Sequence, residues 1–258
     1  LVMVLYYLFR TRIRTIRLTA ASLHPSGPLL RAICSLGVSP FLNQMAMFLV
    51  QITLNNTLTY YGALSHYGED IPLACVGVIS KVNILMLGFT LGISQGCQPI
   101  FSYNYGARQY SRVREAYRKA IVAASIICCI AFVCFQLFPR PIVALFDPSG
   151  SEEYFQFAER YFRIYMFMTL ANAFQPITAN FFTSIGKAKR GALIALTRQV
   201  IFLIPLILIF PLFLGIDGVM YAGPIADSAA VVVALALVTR EMKRMPHVDE
   251  PVAADTLV

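Results

Sequence analysis

The uncharged stretch AIVAASIICCIAFVCFQLF, residues 120–138, decides the fold class of this chain. As an α-helix it rises about 28 Å, which nearly matches the roughly 30 Å hydrocarbon core of a bilayer. Five further apolar windows carry at most one charged residue each: 32–61, 71–99, 164–186, 191–214 and 218–239. We therefore predict an all-α, polytopic membrane protein built as a bundle of six transmembrane helices.

The composition agrees with this interpretation. Hydrophobic residues make up 58% of the chain and charged residues 13%, and the mean hydropathy is +0.67. Soluble domains carry roughly 25% charged residues. The apolar windows are also too many and too long to form the core of a soluble protein of this size, so the soluble globular class is excluded.

Basic residues cluster in alternate loops, which predicts the orientation. The clusters lie at 10–17, 108–119, 187–190 and 240–244, two predicted crossings apart, and the loops between them carry acidic residues. Because cytoplasmic loops are enriched in Lys and Arg, we expect both ends of the segment on the cytoplasmic side of the plasma membrane. Topology and contact with membrane lipid then explain the net charge of +8, and we expect no nucleic-acid partner.

We divide the chain into four parts. Residues 1–9 are apolar and precede four arginines, the reverse of the order in a signal peptide, so we expect the inner end of a truncated preceding transmembrane helix. Residues 10–31 form a basic cytoplasmic linker, 32–241 the six-helix lobe and 242–258 a cytoplasmic tail. Because the chain starts with Leu1 rather than Met, we expect a fragment of a longer protein.

One connecting segment has a pattern of its own. Between residues 103 and 119 arginines alternate with tyrosine and valine. Aromatic anchors beside basic groups are typical of the membrane interface. We expect a membrane-parallel amphipathic segment here, leading into the helix at 120–138.

The first and fourth windows each carry polar or aromatic side chains on one helical face. The candidate cavity residues on these two faces are Gln44, Gln51, Asn55, Tyr165, Met168, Asn172 and Gln175. Polar groups that face lipid are costly, so we expect them to line a substrate cavity open to another lobe. Interhelical hydrogen bonding is the alternative. Pro176 cannot donate to the carbonyl of Asn172, and we expect a break or kink at that point.

Three charged residues lie inside the apolar windows: Lys81, Arg198 and Asp227. Lys81 shares a helix face with glycines at 88, 92 and 96, a small-residue stripe that lets helices approach closely, so we expect it to point into the bundle. Lys81 and Asp227 both lie roughly 14 Å deep when counted along their helices. We predict that they pair, with Arg198 as the rival partner of Asp227.

The sequence lacks the common catalytic and metal-binding motifs. The sequence has no HExxH, no GxSxG and no pair of intramembrane aspartates, so hydrolytic chemistry lacks its residues. The six cysteines and three histidines show no metal-ligand spacing. We expect no enzymatic activity, no catalytic residues, no metal site and no cofactor.

Three motifs carry a family resemblance. Residues 98–107, QPIFSYNYGA, followed by RQYSRVR, resemble the signature that closes the eighth helix of multidrug and toxic compound extrusion (MATE) transporters. Residues 180–190, NFFTSIGKAKR, and 215–227, GIDGVMYAGPIAD, are similar to that family's tenth-helix end and its turn between the eleventh and twelfth helices. The resemblance covers roughly residues 39–244.

This resemblance implies a specific architecture and function. Family members have two six-helix lobes related by pseudo-symmetry, and this chain matches the second lobe. The implied activity is export of cationic or amphipathic drugs across the cytoplasmic membrane, coupled to H⁺ or Na⁺ as the counter-ion. The implied partners are membrane lipid, the N-terminal six-helix lobe and the small cationic drugs. Some members place acidic residues for sodium in the seventh and tenth helices, where this chain has amides.

Two alternatives remain open at this point. A lipid-linked oligosaccharide flippase of the same superfamily would need a markedly basic groove, whereas only Lys81 and Arg198 are basic within the windows. A non-transporting truncated membrane fragment is the other alternative. An in-frame upstream sequence encoding six more helices would argue against the fragment.

Overall fold

The computed structural model describes residues 26–148, 150–246 and 249. The predicted helix end at 1–9, most of the predicted linker and most of the predicted tail lie outside this part, as does the side chain of Asn172. Those assignments therefore stay predictions. The packing reported below is that of the compact unit Phe41–Val258.

The described part of the chain is almost entirely helical and has no strand, which confirms the all-α polytopic fold class. A 3₁₀ turn, Met166–Leu170, separates α5 from α6, and a π turn, Thr197–Leu203, separates α7 from α8. The helices are α1 Gly27–Ala63, α2 Asp70–Gly106, α3 Tyr110–Leu137, α4 Pro139–Ala144, α5 Glu152–Tyr165, α6 Ala171–Ser184, α7 Ala188–Leu196, α8 Ile204–Leu214 and α9 Ile216–Arg244.

Among the described residues, four helical segments are long and apolar enough to cross a membrane. They are α2, α3, the continuous segment Ala188–Leu214 and α9. The predicted window at 164–186 is divided by the 3₁₀ turn into shorter pieces. The first window lies within α1, which begins at Gly27, before the predicted start at residue 32.

Successive segments are joined by tight connections at alternating ends of the bundle. We call one end the Gly186 end, where α6 meets α7, and the other the Gly215 end, where α8 meets α9. Gly186 has φ +77° and Gly215 has φ +59°, backbone conformations that side chains with a Cβ rarely adopt. Ser151 starts α5 by accepting a hydrogen bond from the backbone N–H of Tyr154, which satisfies one free donor of the first turn.

Buried side chains form two clusters, one nearer each end. The cluster nearer the Gly215 end contains Leu58, Ile79, Phe157, Phe162, Ile207 and Val219 among others. The cluster nearer the Gly186 end contains Phe101, Phe181, Phe182, Ile194 and Val238 among others. Within a membrane such clusters are held by close van der Waals packing, since lipid tails are as apolar as the side chains.

The outer surface of the bundle is apolar. Side chains such as Ile84, Phe89, Ile130, Leu212 and Phe213 are more than 60% exposed. A soluble monomer rarely exposes so continuous an apolar surface. This surface is suited to contact with lipid.

Two local predictions were wrong. The proposed membrane-parallel segment at 103–119 is not a separate element, because α2 continues to Gly106 and α3 begins at Tyr110 after a short turn. Of the break or kink expected at Pro176, the break is wrong, because Pro176 lies inside the continuous α6, and the kink stays a prediction. The interruption is the preceding 3₁₀ turn, where Met168 leaves helical geometry at φ −90° and ψ +22°.

Candidate functional site

A buried ion pair lies between the π turn and the middle of α9. Nε of Arg198 donates to Oδ1 of Asp227 over 2.5 Å. Their side chains are only 14% and 11% exposed. A lone charge at membrane depth costs about 3 kcal/mol or more, so mutual pairing offsets much of the cost of both.

This pair corrects the expectation that Lys81 is the partner of Asp227. Lys81 is exposed on α2. A Cβ added at Gly88, Gly92 or Gly96 would meet no other atom within 4 Å, so the glycine stripe faces away from the rest of the described lobe. The prediction failed because it assumed that the stripe faces inward. Arg198, from the segment adjacent to α9, reaches Asp227 instead.

Two tyrosines extend the polar centre. Tyr165 at the end of α5 is close enough to Arg198 and Asp227 to interact with both charges. A Cβ on Gly223 would lie 2.6 Å from Cε2 of Tyr165, so the glycine is needed for the ring to approach α9. The Tyr161 ring stacks on that of Tyr165 with centroids 5.7 Å apart. In the described part of the chain, the buried Tyr161 hydroxyl has no hydrogen-bond partner.

Both backbone irregularities of the lobe adjoin this centre. Arg198 is part of the π turn, and Tyr165 immediately precedes the 3₁₀ turn. Such interruptions of an α-helix often mark functional hinges. Among the described residues, the polar centre therefore lies beside both the 3₁₀ turn and the π turn.

The candidate cavity residues occupy different environments. Gln44 and Gln51 are exposed on α1, and Nε2 of Gln51 donates to Oδ1 of Asn55 over 3.0 Å. Tyr165, Met168 and Gln175 are half-buried. Of these, the structure brings Tyr165 to the ion pair, and the shared cavity of Gln51, Asn55, Asn172 and Gln175 stays a prediction.

Hydrogen bonds hold α6 to its neighbours. The Tyr117 hydroxyl of α3 and Oγ1 of Thr178 are 2.8 Å apart. Nδ2 of Asn180 donates to Oγ of Ser94 on α2 over 2.8 Å. Interhelical hydrogen bonding, the alternative to a cavity, therefore operates on α6 at residues beyond the predicted set.

Sequence reasoning missed a second charged site, near the C-terminal end of α9. The Glu241 carboxylate is buried and accepts from both Lys187 and Arg190. Lys187 lies in the connection between α6 and α7, and Arg190 lies in the first turn of α7, so the site fastens α9 to the start of α7. Burial disfavours the charged form of Lys187, but the hydrogen bond and charge of Glu241 raise the pKa of the ammonium group.

A signal for this site was present in the sequence. Ala234, Val238, Glu241 and Met245 follow helical spacing, and all four are buried. Glu241 thus occupies a position in the apolar stripe of α9. The basic cluster at 187–190 had been interpreted as a topology signal alone.

Comparison with known proteins decides the family. The MatE family model matches residues 43–209, which contain the Gln51–Asn55 contact, Lys81, Tyr165 and Arg198. This chain belongs to the MATE family. Asp227 and Glu241 lie beyond the matched residues.

Curated relatives include multidrug export proteins. MepA of Staphylococcus aureus (strain bovine RF122 / ET3-1) is 22% identical over 237 residues, which cover 91% of this chain and 49% of MepA. MepA of Staphylococcus haemolyticus (strain JCSC1435) is 22% identical over 232 residues, covering 89% and 48%. The chain therefore spans about half the length of the curated relatives it matches.

Solved MATE structures share the fold. An outward-facing multidrug resistance MATE transporter of the MOP superfamily matches with a TM-score of 0.81 at 21% identity, over 95% of this chain and 53% of that one. An inward-facing multidrug resistance MATE transporter of the MOP superfamily matches with a TM-score of 0.78 at 21% identity, over 95% and 55%. A MOP superfamily transporter from Pyrococcus furiosus gives 0.81 at 20% identity, over 95% and 53%.

Proposed function

We propose that this chain forms one half of a secondary transporter that exports cationic or amphipathic compounds across the plasma membrane. Family membership and relatives that are multidrug export proteins support the proposal. The other half is a second six-helix lobe, which matches the half-length coverage of the relatives. The function is transport and not catalysis.

The observation that carries this proposal is a set of exposed polar side chains on α1 and α2, which we call the α1–α2 surface. Gln44, Gln51 and Lys81 lie within long helices, yet their side chains are exposed. Amide and ammonium groups at membrane depth face protein or a water-filled cavity rather than lipid. An exposed polar face on an otherwise apolar lobe is what a lobe needs to contribute to a central substrate pathway.

The ion pair favours drug export over the flippase alternative. A groove for an anionic lipid-linked sugar needs uncompensated positive charge. Arg198 does not supply such charge, because Asp227 neutralises it. Lys81 is left as a single exposed cation within an apolar window.

The coupling ion in this proposal is H⁺ or Na⁺, and its binding carboxylate lies outside this chain. Asp227 is the one carboxylate inside the six apolar windows, and Arg198 holds it. A carboxylate locked in such a pair is poorly placed to bind and release a counter-ion. The alternating charge of the loops supports cytoplasmic positions for both ends of the lobe.

Efflux from vesicles tests the proposal. The native protein, with any sequence that flanks this chain in its gene, is reconstituted in liposomes loaded with ethidium, and a proton or a sodium gradient is imposed in turn. We expect ethidium efflux that follows one of the two gradients, while protein-free liposomes show none. Efflux that follows neither gradient would contradict the proposal, and movement of a labelled lipid-linked oligosaccharide without ethidium efflux would favour the flippase.

Six further helices encoded in frame upstream of Leu1 would exclude the truncated fragment.

A further inference from the structure

The exposed face of α9 near the Gly186 end carries a groove with two chemically different ends. It is an open depression of about 560 Å³ on the surface of α9. It is lined by Leu235, Ala236, Thr239, Arg240, Lys243 and Arg244. The uncharged residues come first along the helix and the three cations follow, so the groove runs from an apolar surface to a strongly basic one.

The positive charge of this groove is not neutralised by its own lining, which includes no acidic residue. Glu241 lies next to Arg240 in sequence but is buried on another face of α9. Its carboxylate is occupied by Lys187 and Arg190. The groove therefore offers three cations to an external anion.

The apolar end of the groove continues into exposed apolar surface of α9. Val232, one turn before the groove, is 66% exposed, and Leu235 is 40% exposed. A free anion would gain nothing from this apolar surface. A molecule with a charged head and hydrocarbon chains would use both ends.

We propose that this groove is a binding site for an anionic phospholipid. The guanidinium groups of Arg240 and Arg244 and the ammonium of Lys243 bind the phosphate of the headgroup. Leu235, Ala236 and Val232 pack against the acyl chains. Because the site depends on the groove and not on the exported compound, it does not depend on the proposed function.

Lipid-dependent thermal unfolding of the native protein tests this site. The protein is purified in a non-ionic detergent and titrated with micelles that contain either phosphatidylglycerol or phosphatidylcholine. We expect phosphatidylglycerol to raise the unfolding temperature more than phosphatidylcholine does. Each groove cation contributes about fivefold to binding, so the variant R240Q/K243Q/R244Q should bind phosphatidylglycerol roughly 100-fold more weakly.

A matched variant separates the groove from general surface charge. Arg112, Arg118 and Lys119 are also exposed and lie on α3, whose N-terminal turns are at the same end of the bundle. R112Q/R118Q/K119Q removes the same charge and should keep phosphatidylglycerol binding close to that of the unchanged protein. Equal losses in the two triple variants would overturn the proposal, because diffuse charge would then explain the effect.

Two further measurements test the contribution of a single cation and the identity of the bound anion. The single variant Lys243→Gln, with one charge removed, should fold and lose about fivefold in affinity; unchanged affinity in this variant would also overturn the proposal. Inorganic phosphate should not displace the lipid at equal concentration. Complete displacement would show a site for free phosphate in place of a phospholipid.

Discussion

The polar groups near the π turn and those on the α1–α2 surface have opposite surroundings in one lobe. Arg198 and Asp227 are buried and satisfy each other at 2.5 Å. Gln51 and Lys81 are exposed on helices long enough to cross a membrane. The first group is satisfied within the lobe and stabilises the fold, whereas the second has exposed polar groups for which we propose a place in the substrate pathway.

The largest effect should come from breaking the buried pair. Asp227→Asn keeps the side-chain size but leaves the Arg198 charge buried without its partner, which costs about 3–5 kcal/mol. Asp217→Asn is the matched control, since Asp217 lies on the same helix and pairs with Arg160 over 2.8 Å at a more exposed position. We expect a large drop in folded yield and unfolding temperature for the first change and about 0–1 kcal/mol for the second. Similar effects in the two variants would contradict a special role of the buried pair in stability.

The next largest difference in stability should be between a glycine packed against Tyr165 and a glycine of the exposed stripe on α2. Gly223→Ala places a methyl group 2.6 Å from the half-buried Tyr165 ring, and such overpacking costs about 1–3 kcal/mol. Gly92→Ala meets no atom within 4 Å and should be neutral or slightly stabilising, since Ala is the better helix former. Thermal unfolding of both variants checks this. A loss for Gly92→Ala as large as that for Gly223→Ala would mean that another part of the native protein packs closely on the stripe.

Removing the carboxylate at the end of α9 should have an intermediate effect. Glu241→Gln leaves Lys187 and Arg190 without their anion, but these side chains are 35% and 36% exposed and can turn to water. We expect a loss of about 1–2 kcal/mol in the free energy of unfolding, measured by denaturation in mild detergent. Glu115→Gln, on the exposed surface beside Lys119, should leave stability unchanged. Stability unaffected by Glu241→Gln would show that the contact does not fasten α9.

The smallest effect on stability should come from the α1–α2 surface. Lys81→Met removes an exposed charge that has no role in the buried pair, so the unfolding temperature should stay the same or rise. Ethidium efflux per folded protein should nevertheless fall roughly tenfold, the effect of one lost polar contact of about 1.4 kcal/mol. Lys119→Met, at an exposed position in the N-terminal half of α3, is the control and should leave efflux unchanged. Full efflux in Lys81→Met would show that Lys81 does not contribute to the substrate pathway.

Much of the fold could be predicted because the bilayer imposes helix length and apolar composition. The uncharged window at 120–138 lies within α3, and residues 218–239 lie within α9. The irregular segments could not be predicted, since no residue type marks them. Proline suggested a break at 176, but α6 continues through Pro176 and the 3₁₀ turn is at Met166–Leu170.

The candidate site was harder to predict from the sequence than the fold was. Arg198 and Asp227 were recognised as charged residues of interest, but which cation binds Asp227 depends on which side of α2 faces inward. Glycines admit a neighbouring helix without showing where that helix is, and Lys81 was misplaced for this reason. Glu241 was overlooked because one carboxylate beside several basic residues resembles an ordinary helix end until its burial is known.

The most direct test of the account is the double variant R198M/D227L in the native protein. Replacing a buried ion pair by apolar side chains of similar volume is often neutral or stabilising, so the double variant should recover the folded yield lost in Asp227→Asn. We propose that the pair acts in folding and that the coupling carboxylate lies outside this chain, so gradient-driven ethidium efflux per folded protein should stay within about threefold of the unchanged protein, a difference of less than 1 kcal/mol. A double variant that folds normally and exports nothing would contradict the account and assign the pair to transport itself.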